Sequence, residues 1–205
     1  MPVVSKPRWG IPSPSRLATA LVLGAVAGAT FLSGPVSAGT VFGSKLNHEP
    51  TPTESCRQNK PANICSWVLE IGQQNVGKEA APKNGTIIKL RLRSCSPGSF
   101  ALQIARAFPA TDRARVVKTG PTINYRGNPN NCSGGTFIET FNVNVPVLKG
   151  DYLAVLATRV GFIYNASGEG SLVFDPPLPD GGPLRLAVGS GVGDGFLLLQ
   201  AELNN

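Results

Sequence analysis

The sequence predicts an all-β protein, a two-sheet antiparallel β-sandwich of jelly-roll-like arrangement. Three observations lead there. Segments of five to nine residues whose side chains alternate in polarity recur along the chain. Turn residues, supplied by 24 glycines and 18 prolines, separate them. After residue 38, no stretch of eleven or more residues carries a capped helical period.

The chain opens on a processing signal. Lys6, Arg8 and Arg16 form a positive region, Leu17 to Leu32 an apolar stretch, and Val36-Ser37-Ala38 puts small residues where a signal peptidase reads them. Cleavage after Ala38 leaves 167 of the 205 residues, enough for one domain with a full core. It takes the 19 basic residues to 16 against 12 acidic ones, a net charge of +4. Nothing later is apolar for long enough to span a membrane as a helix. The expectation is a secreted protein with a signal peptide over 1–38, an exposed arm over 39–63 and a β-sandwich over 64–205.

The arm is rich in Thr, Pro, Glu and Asn and reads as loop. Trp67 to Ile71 reads as a short strand and Thr86 to Ser94 as a longer one. In the latter, Thr86, Ile88, Leu90 and Leu92 share one parity and Lys89, Arg91 and Arg93 the other. Phe100, Leu102 and Ile104 repeat the pattern after the turn at Ser96-Pro97-Gly98, which reads as an antiparallel neighbour of the strand before it. Arg113 to Lys118 is a further short strand, followed by a loop from Gly120 to Gly135. From Thr136 to Val145, Phe137, Phe141, Val143 and Val145 alternate with polar residues. Lys149-Gly150-Asp151 then reverses the chain into Tyr152 to Thr158, which is apolar on both faces and therefore central in its sheet. Short strands follow at Gly161–Asn165 and Ser171–Phe174. The segment from Asp175 to Pro183 carries four prolines and is neither helix nor central strand, and Phe196 to Leu203 closes the domain.

Four cysteines in an exported chain read as two disulfides with three possible pairings. Cys56 with Cys65 and Cys95 with Cys132 is the favoured pairing: the first two are close in sequence, and each of the second two borders a predicted strand. The chain-entropy account assigns roughly 2.7 and roughly 3.9 kcal/mol to the two closures. Metal ligation by these thiols lacks a Cys-x-x-Cys pair or a neighbouring histidine.

The run Asn84 to Arg93, then Phe137 to Val147, Lys149 to Ala154, Asp175-Pro176-Pro177 and Leu197 to Ala201 carries a resemblance. In this order it is similar to a group of secreted, largely uncharacterised domains of high-GC Gram-positive (actinobacterial) soil bacteria, over roughly Asn84 to Leu203. The resemblance implies a β-sandwich outside the cell and no established activity. Some such domains precede calcium-binding repeats or anchoring segments. None follows Leu203 in this sequence, which counts against a tethered role.

The residues that could carry chemistry are few. His48 is the single histidine, in the polar arm, and no Gly-x-Ser-x-Gly elbow accompanies it. A carboxylate pair drawn from Glu70, Glu139, Asp151 and Glu169 could serve a glycosidase-like hydrolase. Glu139 is the most suggestive of these, since its parity is that of Phe137 and Phe141. Asp175, Asp180 and Asp194 sit in Gly- and Pro-rich loops able to gather oxygen ligands for a structural calcium ion. Tyr125 and Tyr164 lie near loops and could stack on sugar rings, whereas Trp67 and Tyr152 sit in apolar runs that read as core. Lys89, Arg91 and Arg93 form a basic stripe, with Arg106, Arg113, Arg115 and Lys118 further along, suited to anionic cell-wall polymer or acidic polysaccharide. The export signal and the modest charge count against nucleic acid. The expectation is a binding or structural module without catalysis, with the hydrolase as its alternative.

Overall fold

The computed structural model describes residues 39–52, 54–55, 63–69, 79–165, 170–188 and 195–204. In chain order the strands are β1 (Thr40–Gly43), β2 (Glu54–Ser55), β3 (Cys65–Val68), β4 (Gly85–Leu92), β5 (Gly98–Phe108), β6 (Arg113–Tyr125) and β7 (Glu139–Val147). They continue as β8 (Tyr152–Ala157), β9 (Arg159–Val160), β10 (Ile163–Tyr164), β11 (Leu172–Phe174), β12 (Arg185–Leu186), β13 (Phe196–Leu197) and β14 (Leu199–Leu203). One sheet has the order β1-β14-β4-β7 and the other β11-β3-β8-β5-β6-β12, with two small pairs, β10-β13 and β2-β9. All pairings between these strands are antiparallel. The expected signal peptide, Cys56, Glu70, Ile71, Glu169 and Asp194 lie outside the described residues.

The main core lies between the two large sheets, where Ile87, Leu90 and Leu92 of β4 meet Phe100, Leu102 and Ile104 of β5 and the aliphatic residues of β8 and β14. A second apolar cluster occupies the outer face of the six-stranded sheet, built on Val68, Ala154, Val116 and Phe174. The proline-rich segment expected to be irregular covers it, with Leu178 as its buried plug. β8 sits between β3 and β5 and is buried on both faces, as its two-sided apolar run requires.

Four expectations are corrected. β4 and β5 are not neighbours. Residues 93–97 carry the chain from one sheet to the other, held where the Ser94 hydroxyl donates to the Gly161 carbonyl (2.6 Å). The turn after β7 reverses the chain as expected, and it too crosses from one sheet to the other. Gly150 adopts a φ of +85° there, and the Asp151 carboxylate accepts from the Leu148 N–H (2.9 Å). In both cases alternation marks an inward face without saying which sheet owns it. Within β4 the register with both neighbours slips at Ile88, so the inward positions are Ile87, Leu90 and Leu92 rather than Thr86 and Ile88.

β6 is the third correction. It runs through Gly120 and Pro121 to Tyr125, and its register with β5 slips between Ala101 and Gln103, opposite those two residues. Beyond its pairing with β12 and the bridge from Val116 to Asp180, the outer side of β6 at Gly120 and Pro121 pairs with no strand among the described residues, so a missing proline donor breaks no ladder there. Fourth, the arm is not simply exposed. β1 adds to the four-stranded sheet against β14 and buries Phe42.

The Cys95–Cys132 disulfide is formed as expected, with Cα atoms 5.4 Å apart, and ties the sheet-to-sheet link to the 3-10 turn Pro129–Ser133. Cys65 is buried and disulfide-bonded.

Candidate functional site

The aromatic pair does not form a platform. Tyr125 is only 4% exposed, because inward parity at the end of β6 drives its ring against Phe100 and Phe162. Its hydroxyl accepts from the Gly161 N–H (3.0 Å), and burial raises its pKa above the ordinary 10.0, with the Glu139 charge adding to the rise. Tyr164 is half-buried, with one face stacked on His48 at 4.2 Å and Phe196 packed edge-on at 5.3 Å. The histidine expected in solvent is therefore a packing partner that holds the arm to the sandwich.

The basic stripe of β4 divides into three fates. Lys89 pairs with Glu202 of β14 at 3.2 Å, and Arg91 pairs with the other oxygen of the same carboxylate. Arg93 is 3% exposed, and its guanidinium donates to the Leu46 and Gly135 carbonyls, clamping the arm to the loop before β7. One residue after β4, the chain has already turned into the link between the sheets, and strand parity no longer applies.

The loop aspartates are employed in holding structure. Asp180 accepts from the backbone N–H of Thr119 (3.0 Å) and from its hydroxyl, and Asp175 accepts from Asn63 Nδ2 (3.1 Å). No group of three or more His, Cys, Asp or Glu residues able to hold a metal ion occurs among the described residues. Glu139 spends one oxygen on the Arg126 N–H (3.0 Å) and the other on the Gly127 N–H (2.8 Å). It pins the turn after β6, which accounts for a carboxylate at an inward position. Asp151 is 1% exposed and accepts from Arg106 Nε at 2.7 Å.

What the fold does assemble is a cationic row where the inward face of β5 and β6 runs out of cover. On β5 the parity of Ile104 continues through Arg106 to Phe108, passing from buried to exposed. Across the pairing, Lys118 stands opposite Ile104, Arg115 opposite Arg106, and Arg113 opposite Phe108. Arg113, Arg115 and Lys118 are exposed, and among the described residues they have no carboxylate partner. β12 adds Leu186 on the other side of Arg113. Directly opposed like charges destabilise a strand pair, and of Arg106 and Arg115 only the former is neutralised, by Asp151.

The alternation Arg113-Ala114-Arg115 was legible as a strand with a basic face. Phe108 and Leu186 were not, because nothing local says that residues 78 apart in sequence end up on either side of one arginine. No protein-family model, curated protein or solved structure matches the chain.

Proposed function

We propose that this is an exported, non-catalytic binding module that holds to polyanions at or outside the cell surface, acidic cell-wall or environmental polysaccharide among them. One observation carries the reading: Arg113, Arg115 and Lys118 stand in an exposed row on β6 without carboxylate partners among the described residues, whereas Lys89, Arg91 and Arg106 each have one. A row of like charge left uncompensated along one strand lowers stability locally, and such local conflicts concentrate at functional sites. The scaffold is read as jelly-roll-like, with Cys56–Cys65 as its second staple. Export agrees with the Cys95–Cys132 bond, since disulfides persist in oxidising compartments.

The test is retention of the exported protein on immobilised polygalacturonate and on purified cell-wall fractions as salt is raised. Exposed charge contacts weaken as the Debye length falls from about 10 Å at 0.1 M to about 3 Å at 1 M. Retention at low salt that is lost toward 1 M, and lost at all salts in the Arg113→Glu, Arg115→Glu double variant, is the expected result. Retention unchanged in that variant, or turnover of the polymer, would replace the reading.

A further inference from the structure

Exposed apolar side chains stand beside the cationic row, with the turn Pro109–Thr111 and its cap Asp112 joining β5 to β6 beyond them. At the tip of the six-stranded sheet the register sets Phe108, Arg113 and Leu186 side by side across three strands. Directly opposed residues of antiparallel strands project from the same face with Cβ atoms roughly 5 Å apart. Phe108 is 47% exposed and Leu186 58%. Leu184 and Val188 repeat the exposure at alternate positions on either side of Leu186, while Arg185 and Ala187 between them are half-buried. Phe108 and Leu186 thus flank Arg113 at this end of the sheet, and Arg115 and Lys118 follow behind it along β6. At about 3.3 Å per residue, Arg115 lies roughly 7 Å and Lys118 roughly 15 Å back along β6 from the level of Phe108 and Leu186.

That order is the profile of a lipid interface. Apolar side chains gain by leaving water for the acyl boundary, about 5–10 Å deep, while lysine and arginine gain at the level of anionic headgroups. A lipid-free polyanion has use for the cations and none for the exposed leucines and phenylalanine. We infer that the β5–β6–β12 tip docks on an anionic lipid bilayer, with Phe108 and Leu186 seated in the interface and Arg113, Arg115 and Lys118 on its headgroups. This rests on the reading of the row as an anion-binding surface and names the surface it meets.

The experiment is co-sedimentation of the exported protein with vesicles of phosphatidylcholine alone and of phosphatidylcholine carrying about one third phosphatidylglycerol. Retention on lipid-free polygalacturonate is measured beside it. The expected result is binding to the anionic vesicles and not to the neutral ones. In the Phe108→Ser, Leu186→Ser double variant, vesicle affinity falls about tenfold or more, while polygalacturonate retention is unchanged. Both side chains are exposed, so the variant leaves the core intact, and an unchanged thermal transition checks this. In the Arg113→Glu, Arg115→Glu variant both kinds of binding are lost. Vesicle binding indifferent to Phe108 and Leu186, or polygalacturonate retention without vesicle binding, overturns the lipid inference and leaves the polyanion reading standing. Absence of both overturns the two together.

Discussion

Tyr125 shows how much a single position depends on which way its strand faces. A tyrosine beside a Gly- and Asn-rich loop looks available for stacking, yet inward parity buries it with its hydroxyl as the acceptor for Gly161 N–H. Its pKa is raised first by burial and further by Glu139, with the Gly161 bond opposing. Since the folded value lies above the unfolded one, the stabilisation is complete below about pH 10 and is lost as pH rises through the folded value. Absorbance of the ionised phenol should show a tyrosine titrating above the ordinary value that disappears in the Tyr125→Phe variant, and stability should fall along with that titration. The Tyr125→Phe variant should lose that alkaline dependence. It also strands a buried N–H at Gly161, so it should be less stable at neutral pH by about 1–3 kcal/mol. The polar Asn131 was unremarkable as sequence. It is fully buried and makes three bonds, donating to the Ser94 and Phe137 carbonyls and accepting from the Phe137 N–H, an assignment only the closed loop reveals.

Among the elements, the ion pairs sort by burial rather than by number. The carboxylate of Asp151 sits at 1% exposure under the turn between β7 and β8, and Arg106 reaches it from β5. An Arg106→Ala variant leaves a buried charge with the Leu148 N–H as its one remaining partner among the described residues and should lose about 3 kcal/mol in urea unfolding. Lys89→Ala on β4, by contrast, leaves Glu202 still paired with Arg91 near the surface. Its effect should stay within about 1 kcal/mol. Similar losses from the two variants would contradict the burial argument. The strands themselves were legible where alternation was uninterrupted, as in β5, and misread where a bulge changed parity, as at Ile88 of β4. β6 was cut short because Gly120-Pro121 reads as a turn in any local window. Only its place at a sheet edge makes the pair tolerable.

For the whole molecule, the closing strand β14 lies between β1 and β4, so residues from both ends of the described chain share one sheet. Gly39 precedes β1, and a Cβ there would come within 2.6 Å of Glu202 Cγ. If the chain is exported and cleaved after Ala38, N-terminal sequencing of the mature protein should begin at Gly39, and its new ammonium group would stand near the carboxylate that Lys89 and Arg91 already share. A start elsewhere would refute that boundary. By itself the sequence determined the all-β class, the central two-sided strand and the buried Trp67, because each is written in local periodicity, and it favoured the Cys95–Cys132 pairing without excluding the others. Which strands pair, which charges are cancelled and which remain was decided only by the tertiary structure. Sheet membership and register bring residues tens of positions apart to within a few ångströms. Glu202 pairs Lys89 and Arg91 of the obvious basic stripe in that way, and the end of β6 keeps its cations beside Phe108 and Leu186.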